Sequence, residues 1–211
     1  MMNYIYLHGF CSGAASYKGT FFRKKFEELG LVLHTPDLND NDFEHLTITG
    51  QMRLVRKFAG SLDGEITMMG SSMGAFLAAL YAEENERTVR LVLLAPAFRF
   101  LSRYAKTMGD EYMRAWQKRG YIEVFHYAYN EDRRLHHGIV EDARGYDETA
   151  LERQIPALVL QGLEDESVPF ELSLEYLRAN GRAELVLLHA DHKFTDKAER
   201  LWDYMREYLG L

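Results

Sequence analysis

The chain reads as an α/β protein of three layers, a mostly parallel central sheet with helices on both faces and an inserted cap. Three observations predict it. Short apolar, β-branched runs alternate with helical segments at both ends of the chain, the rhythm of a parallel sheet with crossover helices. The stretch Glu65 to Tyr81 sets Gly70-x-Ser72-x-Gly74 between an apolar run and an Ala/Leu-rich segment. Between Phe98 and about Arg153 the rhythm breaks, which reads as an insertion over one end of the sheet. One domain over residues 1–211, with a cap at about 98–153, is the expected organisation.

In chain order, Tyr4 to Leu7 is aromatic and β-branched, hence a strand that stops at the small-residue loop His8 to Gly13. Phe22, Phe26 and Leu29 fall at helical spacing in Phe21–Leu29, which ends at Gly30 as C-cap. Leu31–His34 is a second strand, and Leu46–Phe58 a helix with Thr47 or Thr49 near its start. Ile66–Met69 is a buried strand, Ala75–Ala82 a helix without Pro or Gly, and Val89–Leu94 another strand. In the insertion, Arg103–Arg119 looks helical and Tyr121–Tyr129 alternates as a strand does. Asn130-Glu131-Asp132 suits a turn to a returning strand over Arg134–Ile139, and Val140–Leu151 a second helix. The regular alternation resumes with strands Ala157–Leu160 and Glu184–Leu188 and helices Pro169–Ala179 and Phe194–Leu209.

Composition narrows the function classes. With 211 residues, 47% hydrophobic, the chain can bury the core of one ordinary α/β domain. A net charge of −7 without a Lys/Arg-rich run argues against nucleic acid or an anionic membrane surface as main partner. A single cysteine, Cys11, excludes an internal disulfide and fits a reducing compartment. Met1–Leu7 lacks the features of a signal peptide, and no apolar run approaches the roughly 20 residues of a membrane span. A cytoplasmic protein is expected. No dinucleotide fingerprint or P-loop is present, so no cofactor is expected.

The Gly70–Gly74 stretch fits a nucleophile elbow, a strained strand-to-helix turn that lifts a serine hydroxyl out of the sheet. In an open parallel sheet, functional groups gather in loops at the carboxyl ends of strands. Those loops carry Ser72, then Gly162-x-x-Asp165-x-x-Val168-Pro169, then Asp191-His192-x-Phe194, with His8-Gly9-Phe10 after the first strand. The order serine, acid, histidine is that of the α/β-hydrolases. These motifs, with Ser12, Ser16 and Lys18, the Ser71-Ser72 pair and Ala95-Pro96-Ala97, resemble the small bacterial YqiA-type esterases. Ala75 departs from that pattern, where a second glycine is frequent, and the cap is longer than the pattern suggests.

The chemistry assigns roles. Ser72 needs a base within hydrogen-bond reach, for which His192 is the candidate, with Asp165 orienting the imidazole. The backbone amides of Met73, after the nucleophile, and Phe10 are the expected oxyanion donors. Ser71, Glu164, Glu166, His189 and Asp191 are weaker rivals, and Cys11 reads as a packing residue. His34, His45, His126, His136 and His137 read as surface or cap residues. His136-His137 near Glu141 and Asp142 fixes no closed ligand set, so no metal is expected. The expected reaction is hydrolysis of a small-molecule carboxylic ester or thioester through an acyl-enzyme. Alternatives are peptidase or C–C bond hydrolysis on the same fold, or a non-catalytic ligand-binding role. Six basic against two acidic residues in Phe98–Gly120 raise the idea of a basic rim for anionic esters. The cap aromatics could line an acyl pocket.

Overall fold

A computed structural model describes residues 1–147 and 150–211. Six strands form one sheet: β1 (Met2–Leu7), β2 (Leu33–His34), β3 (Glu65–Ser71), β4 (Thr88–Leu94), β7 (Ala157–Gly162) and β8 (Ala183–Leu188). They lie in the order β2-β1-β3-β4-β7-β8, every pairing parallel. The helices between and after them are α1 (Tyr17–Glu28), α2 (Ile48–Gly60), α3 (Met73–Glu84), α7 (Phe170–Ala179) and α8 (Ala198–Leu209).

Strand alternation builds two cores. Leu91 and Leu93 of β4 join Ile5, Leu7, Ile66, Met68 and Val159 against α2, α3 and α7. Val92 and Leu94 join Tyr6, Met69, Leu158 and Leu160 against Phe22 and Phe26 of α1 and Leu201 and Met205 of α8. The result is a sheet between two helical layers. Helix α3 is buried at every position from Met73 to Ala82, as a helix apolar all round its surface requires.

Between β4 and β7 the chain makes α4 (Phe100–Met108), α5 (Asp110–Arg119), the antiparallel hairpin β5 (Tyr121–His126) and β6 (Glu131–His136), and α6 (Gly138–Asp147). A third cluster lies beneath them, with Trp116, Ile122, Leu135, Ile139 and Val140 packed on Cys11, Phe43 and Leu46.

Several element boundaries differ from the sequence reading. Helix α1 begins at Tyr17 because Ser16 Oγ accepts from the Gly19 amide, a cap hidden in small residues. Strand β2 shortens to two residues. The expected helix Arg103–Arg119 is two helices, broken at Gly109, whose φ of +81° no helix accommodates. The returning strand starts at Glu131, in register with β5 from Tyr121↔His136 to His126↔Glu131. Of the expected helix Val140–Leu151, α6 covers the part up to Asp147, residues 148–149 lie outside the described residues, and Ala150 and Leu151 are not helical. The last helix starts at Ala198, since Phe194 and Asp196 adopt left-handed backbone.

Candidate active site

The site starts from one strained residue. Ser72 follows the last residue of β3 and precedes the first of α3, at φ 56° and ψ −120°. A side chain held there costs of order 1–3 kcal/mol and persists only where its surroundings over-determine it. Here they do: the Ser72 amide donates to Leu94 O (2.8 Å), and its carbonyl accepts from Ala75, Phe76 and Ala97 at 3.0–3.1 Å. The two motif glycines are required by close approach. A Cβ at Gly70 would strike the Gly74 backbone, and one at Gly74 the carbonyl oxygens of Leu7 and His8.

The acid and histidine loops leave adjacent strands and are tied to each other. Leu163 and Glu164 amides donate to the Leu188 and Ala190 carbonyls, at 2.8 and 3.1 Å. This brings three side chains from positions 72, 165 and 192 into one line. His192 Nε2 lies 3.0 Å from Ser72 Oγ, and Nδ1 lies 2.8 Å from Asp165 Oδ2. A carboxylate only accepts, so Nδ1 carries the proton and Nε2 faces the hydroxyl as an acceptor. The Asp165 side chain is fully buried, while that of His192 keeps 24% of its surface exposed.

Four donors converge on Asp165, the full acceptor capacity of a carboxylate. Oδ1 accepts from the Ser167 and Val168 amides, at 2.9 and 2.7 Å. Oδ2 accepts from His192 and from Gln161 Nε2 at 2.9 Å. Gln161 is itself buried and held, since its Nε2 also donates to Val168 O and its Oε1 accepts from the buried Ser173 hydroxyl. The sequence reading missed both residues. The available signal was a glutamine inside an otherwise apolar strand, which a fully buried β7 can carry only if its amide is satisfied.

The loop after β1 is fixed by His8. The Leu38 amide donates to its Nε2 at 2.9 Å, so Nε2 is an acceptor and Nδ1 carries the proton. Nδ1 donates to Gly9 O at 3.0 Å, and the 3.3 Å approach of Asp37 to Nε2 is then not a hydrogen bond. Fixing the Gly9 carbonyl fixes the planar trans peptide that follows, and with it the direction of the Phe10 N–H. The Phe10 ring packs 5.9 Å from both Phe43 and Phe100. Met73 opens α3, where an amide has no intrahelical acceptor.

The other candidates lie elsewhere. His189 and Glu164 pair at 2.8 Å, with side chains 86% and 56% exposed. Asp191 accepts from the Thr195 amide and hydroxyl and shapes the histidine turn. Cys11 is buried, and burial pushes its thiol up to about 12, unsuited to a nucleophile. His136 Nδ1 accepts from the Gly138 amide and Asp142 caps Thr49, so these side chains serve local structure. His126 and His137 are buried within the inserted segment, so of the surface or cap positions expected for them they take the second.

The basic excess in 98–120 is partly consumed. Arg99 pairs with Glu175, Arg119 stacks on Tyr121, and Arg103 donates to the carbonyls of Phe98 and Ser167. The aromatics divide as well. Phe98 packs on Phe76 and Tyr176 beside a cavity of about 340 Å³, whose lining among the described residues does not include Ser72, Asp165 or His192. Trp116 is core with the half-buried Tyr104 packed against its cluster, and Phe125, Tyr127 and Tyr129 stand exposed on the hairpin.

A parallel sheet between two helical layers, with a strained Ser-x-Gly turn at its centre, defines an α/β-hydrolase fold. The chain belongs to uncharacterised protein family UPF0227, which it matches over residues 3–206. It is 26% identical to "Putative esterase/lipase 2" of Mycoplasma pneumoniae, across 98% of this chain and 88% of that one. Solved structures of the same fold include mouse alpha/beta hydrolase domain-containing protein 10, at 18% identity and TM-score 0.79, covering 99% of this chain and 89% of that one. Another is Est1E of Butyrivibrio proteoclasticus with ferulic acid bound, at 21% identity and TM-score 0.75, covering 100% and 90%. No helix among the described residues is long and apolar enough to cross a membrane.

Proposed function

We propose that the chain is a serine hydrolase of small-molecule carboxylic esters, with thioesters as the neighbouring substrate class. The observation that carries the reading is the continuous line from Ser72 Oγ through His192 to a four-donor Asp165. Names among the relatives agree with it: the Mycoplasma pneumoniae relative is called an esterase/lipase, and ferulic acid, bound by Est1E, is a carboxylic acid.

Ser72 Oγ attacks the ester carbonyl carbon while His192 Nε2 takes the hydroxyl proton. Asp165 stabilises the imidazolium so formed. The Phe10 and Met73 amides hold the oxyanion, each such donor being worth about 10²–10³ in turnover. The C–O bond then breaks and the departing alkoxide takes the proton from Nε2. Water attacks the acyl-enzyme, giving a proton back to His192, and the carboxylic acid leaves as Ser72 regains its own.

The test is hydrolysis of p-nitrophenyl esters from acetate to palmitate by wild type and Ser72→Ala, with fluorophosphonate labelling of both. Activity that falls by about 10⁴ or more in the variant, together with a label on Ser72 alone, is expected. Hydrolysis retained by Ser72→Ala would overturn the nucleophile. A wild type that neither hydrolyses nor labels would favour a ligand-binding role.

A further inference from the structure

Lys18 lies outside the Ser72–His192–Asp165 line, yet it reaches the turn that carries the histidine. From the first turn of α1, its Nζ donates to the carbonyl of Lys193 at 3.2 Å. The same ammonium sits 5.4 Å from the centroid of the Phe194 ring, over a residue in left-handed backbone. His192 is the residue immediately before this pair. The start of α1 is itself fixed, because Ser16 Oγ caps Gly19. A strained turn with one side chain partly open to solvent keeps its geometry only if something outside it holds it.

We propose that Lys18 is a positioning residue: its ammonium pins the Lys193–Phe194 turn and so sets the His192 imidazole against Ser72. This rests on the serine hydrolase reading for its effect on turnover, though not for the contact itself. Other charged side chains surround the turn, with Asp196 and Lys197 following it in the chain. Asp191 and Asp165 face the ammonium, and the Lys193 side chain turns away to lie over Tyr127. Burial pulls the Lys18 ammonium down to about 8, against the opposing pull of Asp191 and then Asp165. A charge-assisted hydrogen bond is roughly twice as strong as a neutral one, so the tether weakens as this proton leaves. Turnover then declines above about pH 8 in wild type.

The experiment compares wild type, Lys18→Met and Lys18→Arg in kcat and KM for p-nitrophenyl acetate from pH 6 to 10. It adds the proton NMR resonances of the His192 ring at one fixed pH, identified by their absence in His192→Gln. The expected result for Lys18→Met is kcat lower by about tenfold with KM little changed. The alkaline decline near pH 8 should vanish in Lys18→Met, and in Lys18→Arg, whose guanidinium stays charged, kcat should recover without that decline. The His192 ring resonances should move in Lys18→Met, where the turn is released, and return toward their wild-type positions in Lys18→Arg. Wild-type kcat and unmoved His192 resonances in Lys18→Met would overturn the proposal. Loss of kcat with unmoved resonances and no rescue by arginine would overturn it too, since a packing defect elsewhere gives that pattern. The NMR arm stands even if Ser72→Ala retains hydrolysis, so failure of the triad and failure of the tether are told apart.

Discussion

The elbow helix α3 and the helices of the β4–β7 connection carry opposite designs. Ten consecutive residues of α3 are buried, from Met73 to Ala82, while α4 buries none of its residues and α5 only Trp116. Strand β7 is buried throughout, whereas β6 buries only Leu135. Ser72 and Asp165 sit where the backbone around them is held by hydrogen bonds. Beyond Ala97, which donates to the Ser72 carbonyl, and Phe100, which packs on Phe10, the connection reaches these loops through scattered ties: Arg103 to Ser167 O in the Asp165 loop, Tyr127 N to Cys11 O beside the Phe10 loop, and Lys193 over Tyr127. Rigidity and adaptability are thus assigned to different stretches of one chain. Substitutions in the sheet region should cost folding or turnover outright, and those in the connection should act weakly or through pH.

The largest effect belongs to Gly74→Ala. Its methyl would run into the Leu7 and His8 carbonyls, backbone at the end of β1 that cannot yield. The expected outcome is loss of the cooperative melting transition seen by circular dichroism. A variant with wild-type Tm would show that the packing of α3 on β1 is looser than the contact implies, and would break the contrast at its strongest point.

Next comes Asp165→Asn. The amide can no longer accept from all four donors, and it favours the wrong imidazole tautomer at His192. Turnover of p-nitrophenyl acetate should drop by about 10⁴ with the fold intact. A smaller effect, about tenfold in kcat, is expected for Gln161→Leu, which removes one of the four donors and strands the Ser173 hydroxyl. Equal activity of Gln161→Leu and wild type would reduce Gln161 to a packing residue.

How much of this was legible in the sequence follows from the same contrast. The parallel sheet could be read because strand–loop–helix chemistry is local and its spacing is short, and the same locality put forward His8, Phe10, Ser72, Met73, Asp165 and His192 as candidates. Bringing residues 72, 165 and 192 within hydrogen-bond distance is a property of strand order, and the geometry agrees with the roles assigned to them. Gln161 and Ser173 were not legible, because a polar residue in a buried strand announces a partner without naming it. The connection was read least well. Its elements are held by few buried residues, so the break at Gly109 and the register of β6 were set by turn conformation and by contacts distant in sequence.

The smallest expected effect lies in that connection, at His126. The ring is fully buried at the end of β5, stacked on Tyr129 at 4.3 Å and edge-on to Phe43 at 4.5 Å. Neither ring nitrogen has a hydrogen-bond partner among the described residues. Burial first, and then the positive charge of Arg133, push its pKa below the ordinary 6.5, with Asp37 opposing. The folded state therefore binds the neutral ring, and the unfolded chain takes up a proton first as pH falls. Stability from this site is fully present above about pH 6.5 and is lost as pH drops below that value. His126→Phe keeps an aromatic ring of similar shape and removes two unsatisfied nitrogens, a change that is neutral or stabilising. Urea unfolding at pH 7.5 should give equal or greater stability for the variant. Between pH 7 and 5 the variant should lose less stability than wild type. An identical acid slope in the two proteins would mean that the hairpin opens to solvent around His126, and that the connection is looser than its packing against Phe43 implies.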